Sequence, residues 1–128
     1  MEVGESVTKP ILAREKWNDT QINLVAGAEY HFTATGLWTD STIVCNADGY
    51  TSPNPLLRAS ERFRRVPKER WFALIGTIQR NKDTSFLIGV EARISPRSTG
   101  LLCCFANDVS FMYWNNQGEI QLTVTRTR

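Results

Sequence analysis

"CFANDVSFMYWNNQGEIQLTV", residues 104–124, sets two strand-like runs on either side of a break that carries one carboxylate, Asp108, and two adjacent amides, Asn115 and Asn116. After the break, Ile120, Leu122 and Val124 alternate with polar neighbours at the two-residue period of a strand with one buried face. An apolar setting does not hold such polar groups unpartnered without cost. Their residue types admit two readings. Calcium is a hard cation that takes roughly 6–8 oxygens from carboxylates, amide side chains, backbone carbonyls and outside ligands. Asp108, Asn115 and Asn116 offer side-chain oxygens, and "VSFMYW" can loop back to turn a carbonyl inward. One carboxylate and neutral amides leave such a shell open, so hydroxyls of a ligand would complete it. The plainer reading is that Asn115-Asn116-Gln117-Gly118 is a turn before the last strand, with Asp108 capping it by backbone hydrogen bonds.

The rest of the chain reads mainly as short strands. "INLVAGAEYHFTATGLWTD" (22–40) reads as a hairpin: Ile22 and Leu24, then Tyr30, Phe32 and Ala34, alternate with polar residues, and Ala26-Gly27 sits at the reversal. The first twenty residues are polar, ending in a turn at Asn18-Asp19. Residues 41–55, "STIVCNADGYTSPNP", are loop by their Asn, Asp, Gly, Ser and Pro content. "WFALIGTIQR" (71–80), "TSFLIGVEARIS" (84–95) and "LLCCFAND" (101–108) have strand character, with turns at Asn81-Lys82-Asp83 and "PRSTG". The exception lies at 54–71, where Leu56, Ala59, Phe63 and Val66 form one helical stripe, Asn54 caps, Pro55 starts and Pro67 stops. Arg58, Arg62 and Arg65 line another face; the spacing suits a solvated surface with Arg58–Glu61 and Glu61–Arg65 ion pairs better than a phosphate or acidic-sugar track. The expectation is an all-β, antiparallel β-sandwich with one short helix.

The 128 residues suit a single domain, residues 1–128. A net charge of +2 is too small to argue for nucleic acid, and no apolar run reaches the ~20 residues of a bilayer span, so neither nucleic-acid binding nor membrane insertion is expected. "MEVGESVTKP" has no apolar h-region, which points to a cytoplasmic protein or one exported without a signal peptide. Cys45, Cys103 and Cys104 lack zinc spacing and read as three buried thiols; one bridge with a spare thiol is the alternative in an oxidising compartment.

Catalytic patterns are weak. The lone histidine, His31, lies mid-strand, no G-x-S-x-G elbow is present, and the glycines are scattered. Asp40, Asp48 and Asp108 could converge as acids of a glycoside hydrolase, since loops at one end of a sandwich cluster. The chain is read as a non-enzyme.

"NDVSFMYWNNQGEIQLTV" resembles the signature of the PA-I-type bacterial galactophilic lectins, in which Asn-Asp-Val is followed at the same spacing by Tyr-x-Asn-Asn-x-Gly and a final strand. "INLVAGAEYHFTATGLWTD" and "FLIGVEARISPRSTGLLCCFAND" resemble further stretches of that family, while 41–71 does not. The resemblance implies a jelly-roll-like sandwich that binds a galactose-like carbohydrate through calcium. Carried over, it makes Asp108, Asn115 and Asn116 side-chain ligands of calcium, with Met112 and Asp40 contributing main-chain carbonyls. Val109 would lie against the sugar, and Asp108, Asn115 and Asn116 would also hydrogen-bond it. Ser110, Phe111, Met112 and Trp114 replace the family's Pro, Gly, Thr and Gly, so Trp114 either stacks on the sugar or blocks the pocket. The family's sugar-contacting His and Gln have no counterpart in 41–71; Asn46, Asp48, Tyr50 and Arg58 are the candidate replacements. Lectins of this type gain from avidity, which makes a homo-oligomer the expectation. The alternative is a protein-interaction module that kept the scaffold and lost the pocket, with Trp114 and Phe111 as anchors.

Overall fold

The computed structural model describes residues 1–52 and 54–128, so Pro53 of the expected 41–55 loop lies outside the described residues. Among the described residues ten strands form two antiparallel sheets, and the chain is an all-β sandwich. In chain order they are β1 (Ser6–Leu12), β2 (Asn18–Leu24), β3 (Tyr30–Thr35), β4 (Trp38–Asp40), β5 (Ile43–Cys45), β6 (Leu74–Ile78), β7 (Asn81–Leu87), β8 (Glu91–Ile94), β9 (Gly100–Ala106) and β10 (Asn116–Arg126). One sheet has the order β5-β4-β10-β3-β8 with β1 also on β10, and the other β2-β9-β6-β7. The core between them is built from the inward residues that alternation selects: Ile22, Leu24, Tyr30, Phe32, Ala34, Ile120, Leu122 and Val124 are all buried.

Strand 22–24 and strand 30–34 do not pair with one another. β2 pairs with β9 and β3 with β10, so residues 25–29 form an arch between the sheets where a hairpin was expected. The pattern fixes which face is buried; the partner is set by the arch, in which Gly27 takes φ +85° and the Val25 N–H donates to the Tyr30 hydroxyl at 2.9 Å. Two other turn assignments are corrected. Asn18-Asp19 opens β2, because the Asn18 side chain bonds the Leu12 N–H and the Leu12 and Cys104 carbonyls and so knits β1, β2 and β9 together. Asn81-Lys82-Asp83 begins β7; the reversal falls at Gln79-Arg80, both at positive φ. β1, in the segment read as merely polar, is an outer strand of alternating exposure.

The helix is shorter than its stripe. Residues Pro55–Ala59 form α1, with the Asn54 Oδ1 accepting from the Leu56 N–H at 2.9 Å, and a 3-10 turn follows at Glu61–Phe63. Leu56 and Phe63 are exposed, and only Val66 of the stripe is buried. Val66 joins Ala73, Ile75 and Phe105 under Trp17 on the outer face of the second sheet, which explains why β6 is buried on both faces and reads as a continuous apolar run. The arginine face also dissolves. Arg64 is buried with its guanidinium 5.0 Å from the Trp71 ring, and Arg65 lies 3.5 Å over Phe105 and 4.5 Å from Trp17. The expected Arg58–Glu61 and Glu61–Arg65 pairs are not formed; among the described residues the one contact between a basic and an acidic side chain is the His31 Nε2–Glu91 Oε2 hydrogen bond, at 3.1 Å. The three cysteines are unpaired: Cys104 sits in the central core, Cys103 on the opposite face, and Cys45 is half-buried.

Candidate functional site

Where β9 ends and β10 begins, the two sheets exchange a single loop, residues 107–115, that contains a 3-10 turn at Tyr113–Asn115. Its two ends therefore belong to different sheets. β4 pairs with the first residues of β10, with Asp40 opposite Asn116, and so brings Asp40 to the same end of the sandwich. The loop is pinned at several points. The Tyr113 hydroxyl donates to the Ala106 carbonyl, the Ser41 N–H donates to the Asn115 carbonyl at 3.2 Å, and the Arg65 N–H donates to the Asp108 carbonyl at 3.0 Å. Asn107, which received no role from the sequence, is fully buried; its amide donates to the carbonyls of Val66, Glu69 and Arg70 and its Oδ1 accepts from the Val66 N–H. It ties the 66–70 segment to the loop.

A cavity of about 690 Å³ opens against this loop. Asp40, Asp108, Val109, Met112 and Asn115 line it, together with Ser41 to Ile43, Tyr50, Phe63, Trp71 and Phe111. Asn116 is wholly buried, its amide nitrogen donating to the Ala13 carbonyl at 3.1 Å. Trp114 lies outside the lining and is 70% exposed. Of the four replacement candidates only Tyr50 reaches the cavity. Asn46 caps its own turn by accepting from the Asp48 N–H, Asp48 accepts from the Val90 N–H and borders a separate cavity, and Arg58 is exposed. The three acids Asp40, Asp48 and Asp108 thus do not converge; Asp40 and Asp108 do. Nothing in the local pattern of 41–71 marks Ile43, Phe63 or Trp71 as lining residues, because they come from separated segments that meet only through the fold.

Three buried side-chain oxygens at this end have no hydrogen-bond partner: Asp108 Oδ2, Asn115 Oδ1 and Asn116 Oδ1. The other Asp108 oxygen accepts from the Val109 N–H at 2.7 Å. Buried acceptors left this way are costly unless something donates or coordinates. Burial, with a contribution from the Asp40 charge, pushes the Asp108 carboxyl up to about 7, partly offset by the Val109 N–H. Burial raises the Asp40 carboxyl too, against the hydrogen bond donated by the Tyr50 hydroxyl to Asp40 Oδ2 at 2.6 Å. Among the described residues no cluster of three or more His, Cys, Asp or Glu side chains that could hold a metal ion occurs; the partnerless groups here are one carboxylate and two amide oxygens, donor types that a hard cation also accepts. The orphaned oxygens fit such an ion.

Among the described residues no helix is long and apolar enough to cross a membrane. Neither a protein-family model nor a curated protein sequence matches the chain. Among solved structures it is similar to the EclA N-terminal domain, described as a PllA-like lectin, with a TM-score of 0.71 over 93% of this chain and 94% of that one. Identity between the two is 18%, and the likeness is one of fold: the chain is an antiparallel β-sandwich that shares the fold of that domain.

Proposed function

We propose that the protein binds carbohydrate through a calcium ion held by the 107–116 loop, with no catalytic step. The observation that carries this reading is the trio of buried, partnerless oxygens on Asp108, Asn115 and Asn116. Main-chain carbonyls of Met112 and Asp40 would join them. These are fewer oxygens than the ~6–8 calcium takes, so the shell would be completed from outside, and Asp108 and Asn115 line a cavity large enough for a sugar. Two vicinal hydroxyls of a galactose-like ring would complete the shell, with Val109 against the ring. When bound, calcium would polarise those hydroxyls and fix their spacing, and Asp108 and Asn115 would accept their protons as hydrogen bonds. The fold shared with a lectin domain agrees with this reading. We extend it to a homo-oligomer, because single shallow sites gain by avidity.

Calorimetric titration tests it. The low ligand charge predicts a dissociation constant on the order of 10⁻⁴ M for calcium, and galactoside binding that a chelator abolishes. Asp108→Ala is expected to remove both while the domain stays folded. No heat at millimolar calcium overturns the proposal.

A protein-interaction surface is the second reading, favoured by the exposure of Phe111 (76%), which lines the cavity, and of Trp114 (70%) in the same loop. A silent glycan array, combined with a partner lost on Trp114→Ala, would select it.

A further inference from the structure

The cavity holds one acidic group that the calcium reading does not use as a side chain. The Asp40 carboxylate lines the cavity, and the Tyr50 hydroxyl fixes one of its oxygens at 2.6 Å. Tyr50 is itself placed by backbone. Its N–H donates to the Trp71 carbonyl at 2.8 Å, and the preceding Gly49 has φ +76° with the Trp71 carbonyl packed where a Cβ would stand. A carboxylate accepts about four hydrogen bonds, so one bond from Tyr50 leaves capacity directed at whatever occupies the cavity. The described lining contains Asp40 and Asp108 and no Lys, Arg or His. The nearby Arg64 is not among the lining residues: it donates to the Pro67 carbonyl at 2.6 Å and stacks on Trp71, while its Nε–H has no partner among the described residues.

We propose that the Asp40 carboxylate, held by Tyr50, is a second recognition group of this site: it accepts a hydrogen bond from a hydroxyl or amino group of the ligand and rejects ligands that carry an anionic group there. The inference rests on the calcium-assisted reading above. Calcium, if bound, would be ligated by the Asp108 carboxylate and would leave the Asp40 carboxylate outside its shell, and no basic side chain of the described lining answers Asp40. A ligand carboxylate at that position meets a like charge and an acceptor with nothing to accept. Rejection by an unmatched charge is a common source of selectivity. Tyr50 is a positioning residue, since it acts through Asp40.

The test compares matched pairs at saturating calcium, so that metal occupancy is not the variable: galactose with galacturonate, glucose with glucuronate, mannose with mannuronate. Galactosamine and glucosamine separate the hydroxyl from the ammonium donor. The wild-type protein is expected to prefer the neutral or amino sugar of its best pair by roughly tenfold or more. Asp40→Asn should shrink that ratio to about threefold or less, and Tyr50→Phe should give an intermediate ratio. Equal wild-type binding of both members, or a ratio unchanged by Asp40→Asn, overturns the inference and leaves the calcium reading standing. If Tyr50→Phe weakens both members equally, Tyr50 does not position Asp40. If no sugar binds in a calcium-dependent way, the underlying reading fails and this one with it.

Discussion

Asp108 stands at the end of β9 with one oxygen on the Val109 N–H and the other without a protein partner, and burial holds its carboxyl near 7. A carboxyl in an unfolded chain titrates near 3.9, so in the window between about 4 and 7 the metal-free folded state holds the extra proton. Stability of the metal-free protein therefore falls as pH rises through that window and levels off above it. Calcium binding runs the other way, because the cation needs the carboxylate. Its affinity is expected to drop about tenfold per pH unit below about 7 and to be flat above, with proton release on binding. Titrations across this range check it; an affinity indifferent to pH would put the ion somewhere other than Asp108. That Asp108, Asn115 and Asn116 sit together where two apolar strands end was legible in the sequence, and the structure buries their oxygens at one end of the sandwich; their role as metal ligands came from the resemblance and stands as a proposal. The direction of Trp114 was not legible, since a residue in a 3-10 turn follows neither strand alternation nor a helical face. Tyr50 could be named only as one of four, because its place depends on a backbone bridge to Trp71, twenty-one residues away by sequence number.

At the scale of elements, the segment 60–71 shows what periodicity reads and what it misses. The apolar spacing of Leu56, Ala59, Phe63 and Val66 suggested one amphipathic helix, yet the chain leaves the helix after Ala59 and lays Val66 on the outer face of β6 and β9. What holds it there is Arg65. Its guanidinium lies among Trp17, Phe105 and Tyr113, donates to the Lys16 carbonyl and the Tyr113 hydroxyl, and its N–H holds the Asp108 carbonyl. A half-buried guanidinium over several rings contributes on the order of 1–2 kcal/mol through cation–π attraction and packing. Arg65→Ala should thus cost about 2 kcal/mol in denaturant unfolding and weaken calcium binding by loosening the loop. Arg65→Lys should recover little, because an ammonium lacks the planar fork. Full stability in the alanine variant would remove the clamp from this account. The 22–40 stretch gives the complementary lesson. Alternation identified Ile22, Leu24, Tyr30, Phe32 and Ala34 as inward but did not single out the buried Ala28 and Trp38, and it failed to identify pairing because an arch and a hairpin present the same alternation to a core.

Across the whole molecule, the candidate metal ligands are drawn from both sheets: Asp108 follows β9 of one, while Asn116 and Asp40 belong to β10 and β4 of the other. An ion gripping all three would cross-link the sandwich at the end where the loop passes between layers. It would bind only the folded chain, since unfolding scatters residues that lie far apart in sequence. Binding confined to the native state stabilises it by RT ln(1 + [L]/Kd), about 2.7 kcal/mol at a hundredfold excess over Kd. For a domain of this size that amounts to roughly 8–12 °C in Tm. Thermal melts in about 10 mM calcium and in chelator should differ by that amount, given a dissociation constant on the order of 10⁻⁴ M. Magnesium should shift the melt far less, because it demands a tighter octahedron and releases its waters reluctantly. Asp108→Ala should melt at the same temperature with and without calcium. A wild-type protein whose melt ignores calcium would mean that the three partnerless oxygens are satisfied by something else, and the two sheets would then owe nothing to a metal.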